Sequence, residues 1–245
     1  MIILEDKAQQ DKKHELKHKK FAEMGVEVVR VPLPVGDYVL MNDRIQDVID
    51  RKTGRNKGVI GTKIVTLKNG KKVERNVYDY GVDLKKMDFV GTYDVCVDTK
   101  KDIEELVNDI IGKQHERFRD ECIFAQNNGV KLYILVENLG GLVKYTRDVY
   151  NPTIRSLDEL HKWKNPRLFI MKNSDEVIGY YKNGRPKHKK VQMCPSATRG
   201  ETLMKACYTM QEKYGVEFLF CTPEESAERV FSILKGELEE DDGTS

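Results

Sequence analysis

The sequence predicts an α/β domain: a central mixed β-sheet with helices covering both faces. Short apolar, β-branched runs at residues 2–5, 26–31, 93–98, 131–136 and 216–221 read as strands. They alternate with longer segments whose apolar residues recur every three or four positions, the helical period. A length of 245 residues suffices for one well-buried domain and is short for two.

Taken in order, residues 2–5 form a first strand that opens into a charged helical run at 11–24, stopped by Gly25. Its lysines and histidines, including His14 and His18, read as a solvated basic face. Residues 26–31 are a strand broken by Pro32 and Pro34, and extended chain resumes at 35–40. A polar, glycine-spotted stretch at 42–90 reads as a surface insertion. It contains a hairpin at 62–67 and 71–77 around Asn69-Gly70. After the strand at 93–98, Asp102 caps a helix with Glu105 completing a capping box, and one apolar face runs unbroken to Gln126. A buried strand at 131–136 follows. Ser156 and Glu159 open a short helix, and 167–171 reads as a strand. The 172–197 segment is a basic loop insertion or an extended basic arm: six bases and two acids lie between Lys172 and Lys190. Thr198 caps a helix ended by Gly215, 216–221 is a strand, and Thr222-Pro223 launches a last helix to Lys235.

Composition removes several function classes. Charged residues make up 33% of the chain, mean hydropathy is −0.58, and no run approaches the roughly 18 apolar residues of a membrane span. The amino terminus has no secretory signal, so a cytoplasmic protein is expected. The five cysteines are scattered, with no C-x-x-C pair, and read as idle thiols. Phosphate-binding, dinucleotide-binding and nucleophile-elbow glycine motifs are absent. The formal charge of +2 hides an asymmetry. The disordered acidic tail expected at 237–245 carries five acids and no base, so residues 1–236 hold +7.

Two acids stand at the ends of apolar strands, Asp37 after Pro34-Val35-Gly36 and Asp98 after Val95-Cys96-Val97. Burying lone carboxylates is costly unless a positive charge compensates them, and a divalent cation would do so. Lys100 lies two residues beyond Asp98, so strand alternation puts both side chains on one face. Carboxylates with one lysine can hold a cation against a phosphate and manage the proton of an attacking water. A second triplet, Asp50-Arg51-Lys52, has similar letters and lies nearer Asp37. It is followed by Thr-Gly-Arg-Asn-Lys-Gly, whereas Lys100 is followed by a capped helix, which favours Asp98 and Lys100.

Leu33-Pro34-Val35-Gly36-Asp37-Tyr38, then Val97-Asp98-Thr99-Lys100 with Glu104 trailing, and Gly112-Lys113-Gln114-His115-Glu116-Arg117-Phe118 on the next helix, together resemble the XPF-type (ERCC-four) structure-specific endonucleases. These belong to the PD-(D/E)XK, restriction-endonuclease-like superfamily. The likeness covers residues 1–137 well and 198–235 more loosely. The Asp-Thr-Lys form replaces the family's Glu-Arg-Lys and is similar to bacterial and phage relatives; 61 residues separate Asp37 from Asp98, a gap the 42–90 insertion must explain.

The resemblance implies a restriction-endonuclease-like fold with a hairpin-bearing insertion and a single nuclease domain over 1–236. It implies hydrolysis of phosphodiester bonds in branched or structured DNA, as in repair or recombination. Asp37, Asp98, Lys100 and Glu104 would be catalytic. Asp37, Asp98, the Thr99 carbonyl and, at the family's first-strand acid, Glu5 would hold Mg²⁺ or Mn²⁺. Gln114, His115 and Arg117 on the helix, with Lys182, Arg185 and Lys187 on the basic segment, would contact DNA. That segment mixes bases with aromatics, as a backbone-tracking or strand-splitting element does. No helix-hairpin-helix tail follows, so branch recognition is expected from the insertions, a partner protein or a homodimer. The residues do not separate DNA from RNA, and an inactive DNA-binding module or an interaction domain remain as other classes.

Overall fold

The computed structural model describes residues 1–8, 15–53, 59–66, 72–78 and 84–237. Its centre is a six-stranded mixed sheet formed by β1 (Ile2–Asp6), β2 (Glu27–Val31), β3 (Tyr38–Leu40), β6 (Val95–Lys100), β7 (Lys131–Glu137) and β12 (Glu217–Cys221), in the order β12-β7-β6-β3-β1-β2. Only β3 runs against its neighbours, pairing antiparallel with β1 and β6, while the β1–β2, β6–β7 and β7–β12 pairs are parallel. Five strands therefore end at one edge of the sheet, and β3 begins there. Asp6, Asp37, Lys100 and Glu137 are consequently gathered along that edge from sequence-distant segments.

Both faces are covered, as the alternation of strands and helices predicts. One face carries α2 (Asp43–Thr53), α3 (Ile103–Ile110), α4 (His115–Asn127) and α5 (Gly200–Tyr214), packed on Leu4, Val39, Cys96, Leu132, Ile134 and Val136. The other carries α1 (Glu15–Glu23) and α6 (Ser226–Lys235), packed on Ile3, Tyr38, Val97, Leu135 and Cys221. Successive residues of each strand alternate between the two clusters, as the pleat requires. The two faces therefore sort the site residues.

Several elements differ from expectation. The helix read as continuous from Ile103 to Gln126 is two, α3 and α4, broken where Gly112 packs on Asn108; a Cβ there would lie 2.7 Å from the Asn108 Cα. Asp102 caps α3 by accepting from the Glu105 N–H at 2.7 Å, but the Glu105 carboxylate turns back to the Lys101 N–H, so the box closes one residue early. The 42–90 stretch contains α2 before its hairpin, β4 (Val59–Thr66) with β5 (Lys72–Tyr78); the Asn69-Gly70 turn, His14, the start of the first helical run and most of the acidic tail lie outside the described residues. Residues 166–169 form a 3₁₀ turn instead of a strand, because Asn165 caps it and Pro166 takes the first position. The last helix begins at Ser226, after a turn over Pro223–Glu225. Gly200 opens α5, and Arg199 at its cap position makes no side-chain bond.

Of the loop and the extended arm expected for the basic segment, the chain takes the extended form, a two-stranded ribbon of β10 (Met171–Tyr180) with β11 (Pro186–Gln192), separate from the main sheet. A smaller ribbon, β8 (Gly141–Leu142) with β9 (Tyr150–Asn151), follows β7. The five cysteines are free, four of them buried. No helix among the described residues is long and apolar enough to cross a membrane.

Candidate active site

The turn that carries Asp37 is built by constraints on Gly36. Its φ of +73° lies in the left-handed region, and a Cβ there would sit 2.8 Å from the Cys96 Cβ and 2.9 Å from its Sγ. Only glycine lets the chain pass so close to β6 and turn into β3. Tyr93 clamps the preceding residue, donating to the Val35 carbonyl at 2.9 Å and accepting from its N–H at 3.3 Å. The Asp37 N–H donates to the Val97 carbonyl at 2.8 Å, and its carbonyl accepts from the Asp6 N–H at 2.8 Å. Thr99 then fixes the carboxylate: both its N–H and its hydroxyl donate to Asp37 Oδ2 at 2.8 Å.

Asp98 and Lys100 lie on the same face of β6 as Cys96, toward α3 and α4. The Lys100 ammonium is 2.7 Å from Asp98 Oδ2 and 2.7 Å from Asp109 Oδ2, and 5.1 Å from the centre of the Phe118 ring. Asp37, Asp98 and Lys100 border a cavity of about 790 Å³ at the carboxyl edge of the sheet. Glu121 of α4 also borders it and accepts from the Gly36 N–H at 3.1 Å.

Charge in this cavity is under-compensated. Burial raises the Asp37 carboxyl above its usual range despite the Thr99 hydrogen bonds and Lys100. Burial, opposed by Lys100 and reinforced by Asp37, pushes Asp98 up to about 7. Burial and then Asp98 push Glu121 up to about 7. Burial pulls the Lys100 ammonium down, but Asp98 and Asp109 outweigh it and hold the group above its usual value. Lys100 is shared between two aspartates, Lys17 pairs with Glu137 and Lys86 with Asp6, which leaves Asp37 and Glu121 short of positive charge. Hard oxygen donors in that condition fit a divalent cation such as Mg²⁺ or Mn²⁺, which binds through one or two carboxylates and completes its shell with water and phosphate oxygens. Among the described residues no three Asp, Glu, His or Cys side chains stand close enough to cage a metal alone.

The remaining sequence-predicted residues divide. Gln114 and Arg117 line the cavity. His115 does not, and its Nδ1 is buried without a hydrogen-bond partner among the described residues. Glu5 is corrected: strand alternation turns it to the α1 face, where its Oε1 accepts from the Tyr38 hydroxyl at 2.9 Å and meets His18 Nε2 at 2.8 Å, while Arg30 Nε lies 3.3 Å from Oε2. Its neighbour Asp6 occupies the cavity side. Glu104 is corrected too: it faces away from the cavity and pairs with Lys144 at 3.7 Å. On α3 the cavity side belongs to Glu105 and Asp109, one turn apart, and Glu104 is about 100° around the helix from Glu105. Lys182, Arg185 and Lys187 lie on the exposed β10–β11 ribbon, not at the cavity.

Sequence reasoning missed Asp6, Asp109, Glu121, Lys17 and Glu137. Asp109 follows Glu105 by four, and Glu121 follows Arg117 by four, so helical spacing could have found both. Lys17, read as part of a solvated face, is 5% exposed and pairs with Glu137 at 2.6 Å in the cavity wall. The two are 120 positions apart, and no local signal joins them.

A lysine and buried carboxylates thus meet at the carboxyl edge of a mixed sheet in a covered α/β domain. The chain belongs to the ERCC4 domain family, which it matches over residues 6–233. That is a family of nucleases. Among solved structures the chain is similar to XPF from Aeropyrum pernix, with 11% identity and a TM-score of 0.44, covering 100% of this chain and 65% of that one. It is similar to XPF from Aeropyrum pernix in complex with DNA at 11% identity and a TM-score of 0.43, covering 96% and 63%. The chain thus spans a little less than two-thirds of the length of the XPF chain. No curated sequence matches it.

Proposed function

We propose that the chain is a divalent-metal-dependent DNA endonuclease of the Asp-Thr-Lys type that hydrolyses phosphodiester bonds in branched or structured DNA. The carrying observation is the Asp37–Thr99 and Asp98–Lys100–Asp109 arrangement in one cavity. Asp37 and Asp98 would hold Mg²⁺ or Mn²⁺, which when bound neutralises phosphate charge and lowers the pKa of a coordinated water. Lys100, pinned between Asp98 and Asp109, places a fixed positive charge beside the reacting phosphate and steadies the attacking oxygen. Thr99 holds Asp37 in its rotamer. Glu121, through Gly36, holds the turn that carries Asp37. Gln114 and Arg117 can contact the flanking phosphate from the cavity wall, and Arg117 offers a bidentate fork for it. Lys182, Arg185 and Lys187 extend a basic path for the DNA backbone.

The test is cutting of labelled single-stranded, duplex, flap and four-way DNA with and without Mg²⁺ or Mn²⁺. Cleavage should require metal and should fall by about 10² to 10³ or more in Asp98→Ala and Lys100→Ala. Asp50→Ala and Lys52→Ala should cut like wild type. Undiminished cutting by Asp98→Ala would remove the site assignment, and wild type that cuts none of these DNAs with either metal would favour a binding module whose cavity is idle.

A further inference from the structure

The β10–β11 ribbon is not explained by folding. Most of its side chains are exposed on both strands, so it buries little core, and a two-stranded ribbon alone is marginal in water. Its tip is nonetheless well specified. Gly184 donates to the Tyr181 carbonyl at 2.9 Å, the Tyr181 N–H donates to the Arg185 carbonyl at 2.9 Å, and the Asn183 side chain accepts from the Arg185 N–H at 3.2 Å. With Gly184 at φ +81°, this is a three-residue hairpin loop closed by a left-handed glycine.

That ordered tip displays Ile178, Tyr180 and Tyr181, which are 55%, 74% and 56% exposed. Around them the segment from Lys172 to Lys190 has six bases and two acids. Lys189 is paired with Glu176 at 2.9 Å, whereas Lys182, Arg185 and Lys187 make no ion pair among the described residues. Exposed aromatics between unpaired bases, on a support too thin for a core, match a polyanion with accessible aromatic faces. Duplex DNA offers the charge but stacks its bases inward; a single strand offers both. At the ribbon's base the Met193 N–H donates to the Ile170 carbonyl at 2.8 Å.

We infer that the β10–β11 ribbon is a single-stranded-DNA-binding arm whose Tyr180 and Tyr181 stack on unpaired bases while Lys182, Arg185 and Lys187 contact the phosphates. This rests on the proposed nuclease reading only for the choice of DNA as partner. It is therefore tested without cleavage, in EDTA, by fluorescence anisotropy of the full chain with a labelled 12-nucleotide oligothymidine and a 12-base-pair duplex. Quenching of a 2-aminopurine placed within a single strand reports stacking.

Tyr180→Ala with Tyr181→Ala should weaken single-strand binding about tenfold or more, abolish the 2-aminopurine response and leave duplex binding within about twofold. The double Phe variant should bind like wild type. Lys182→Gln with Arg185→Gln and Lys187→Gln should flatten the salt dependence on both DNAs. Wild-type single-strand binding by the double Ala variant, or equal loss on both DNAs, would overturn the inference. A loss of cutting in Asp98→Ala with single-strand binding intact leaves it standing, and active Asp98→Ala protein overturns only the cavity assignment.

Discussion

Asp50-Arg51-Lys52 and Asp98-Thr99-Lys100 differ by one letter and have opposite fates. The first lies on α2, where residues two apart point about 200° away from each other. Asp50 accepts from Gln46 one turn back at 2.8 Å, and Lys52 pairs with Asp88 at 3.0 Å, so the two side chains serve different neighbours. The second lies on β6, where the same spacing returns to the same face and brings the lysine to 2.7 Å from its aspartate. A three-letter motif therefore has chemical meaning only with its backbone period. Burial widens the gap. Lys52 is 43% exposed and Lys100 10%, so the same ion pair is cheap to lose in one place and costly in the other.

The strongest way to break this comparison is to remove each ammonium. Lys100→Met leaves Asp98 and Asp109 buried without their shared cation and should cost about 3–5 kcal/mol in metal-free protein at pH 8. Lys52→Met should cost less than about 1 kcal/mol. Urea unfolding followed by far-ultraviolet circular dichroism measures both. Equal losses would mean that the Lys100 pair carries no more than a surface bridge.

Next in size is the turn that delivers Asp37 to the Asp98 triplet. Gly36→Ala meets a left-handed backbone cost of about 1–2 kcal/mol and an overlap with Cys96 worth about 1–3 more. Gly91, whose carbonyl accepts from Arg44 of α2, also has a positive φ, +74°, but a Cβ there meets nothing within 4 Å. Gly91→Ala should then lose only the backbone part. A thermal-melting series should rank wild type above Gly91→Ala and Gly91→Ala above Gly36→Ala, with metal affinity reduced only in the last.

The covered mixed sheet was legible because each strand carries its own β-branched run and each helix its own apolar period. Asp37, Asp98 and Lys100 were legible for the same reason: each stands at a strand end or at strand spacing, a local property. Glu5 and Glu104 each stand one residue from an acid that lines the cavity, Asp6 and Glu105, and in periodic structure one residue means the opposite face of a strand or about 100° of a helix. Lys17 with Glu137, and Asp6 with Lys86 at 3.5 Å, are contacts made by the crossing of distant segments, which no local pattern encodes. The ribbon tip is different again. Asn183-Gly184 is the same turn signal that identified the earlier hairpin, but the density of lysines around it reads as loop composition.

The remaining expected effect is on pH dependence, and it comes from Asp98. Asp98 is held near 7 by burial, above its unfolded value of 3.8. Between those values the folded state keeps a proton that the unfolded chain has released, so metal-free stability falls as pH rises from about 4 to about 7. One group can contribute no more than about 1.4 kcal/mol per pH unit. Asp98→Asn cannot ionise and should flatten this slope. Saturating Mg²⁺ or Mn²⁺ favours the ionised carboxylate, so the gain in melting temperature on adding metal should grow from pH 5 to pH 8 in wild type and vanish in Asp98→Asn. A metal gain that is independent of pH, or that survives Asp98→Asn in full, would place the cation elsewhere than beside Asp98.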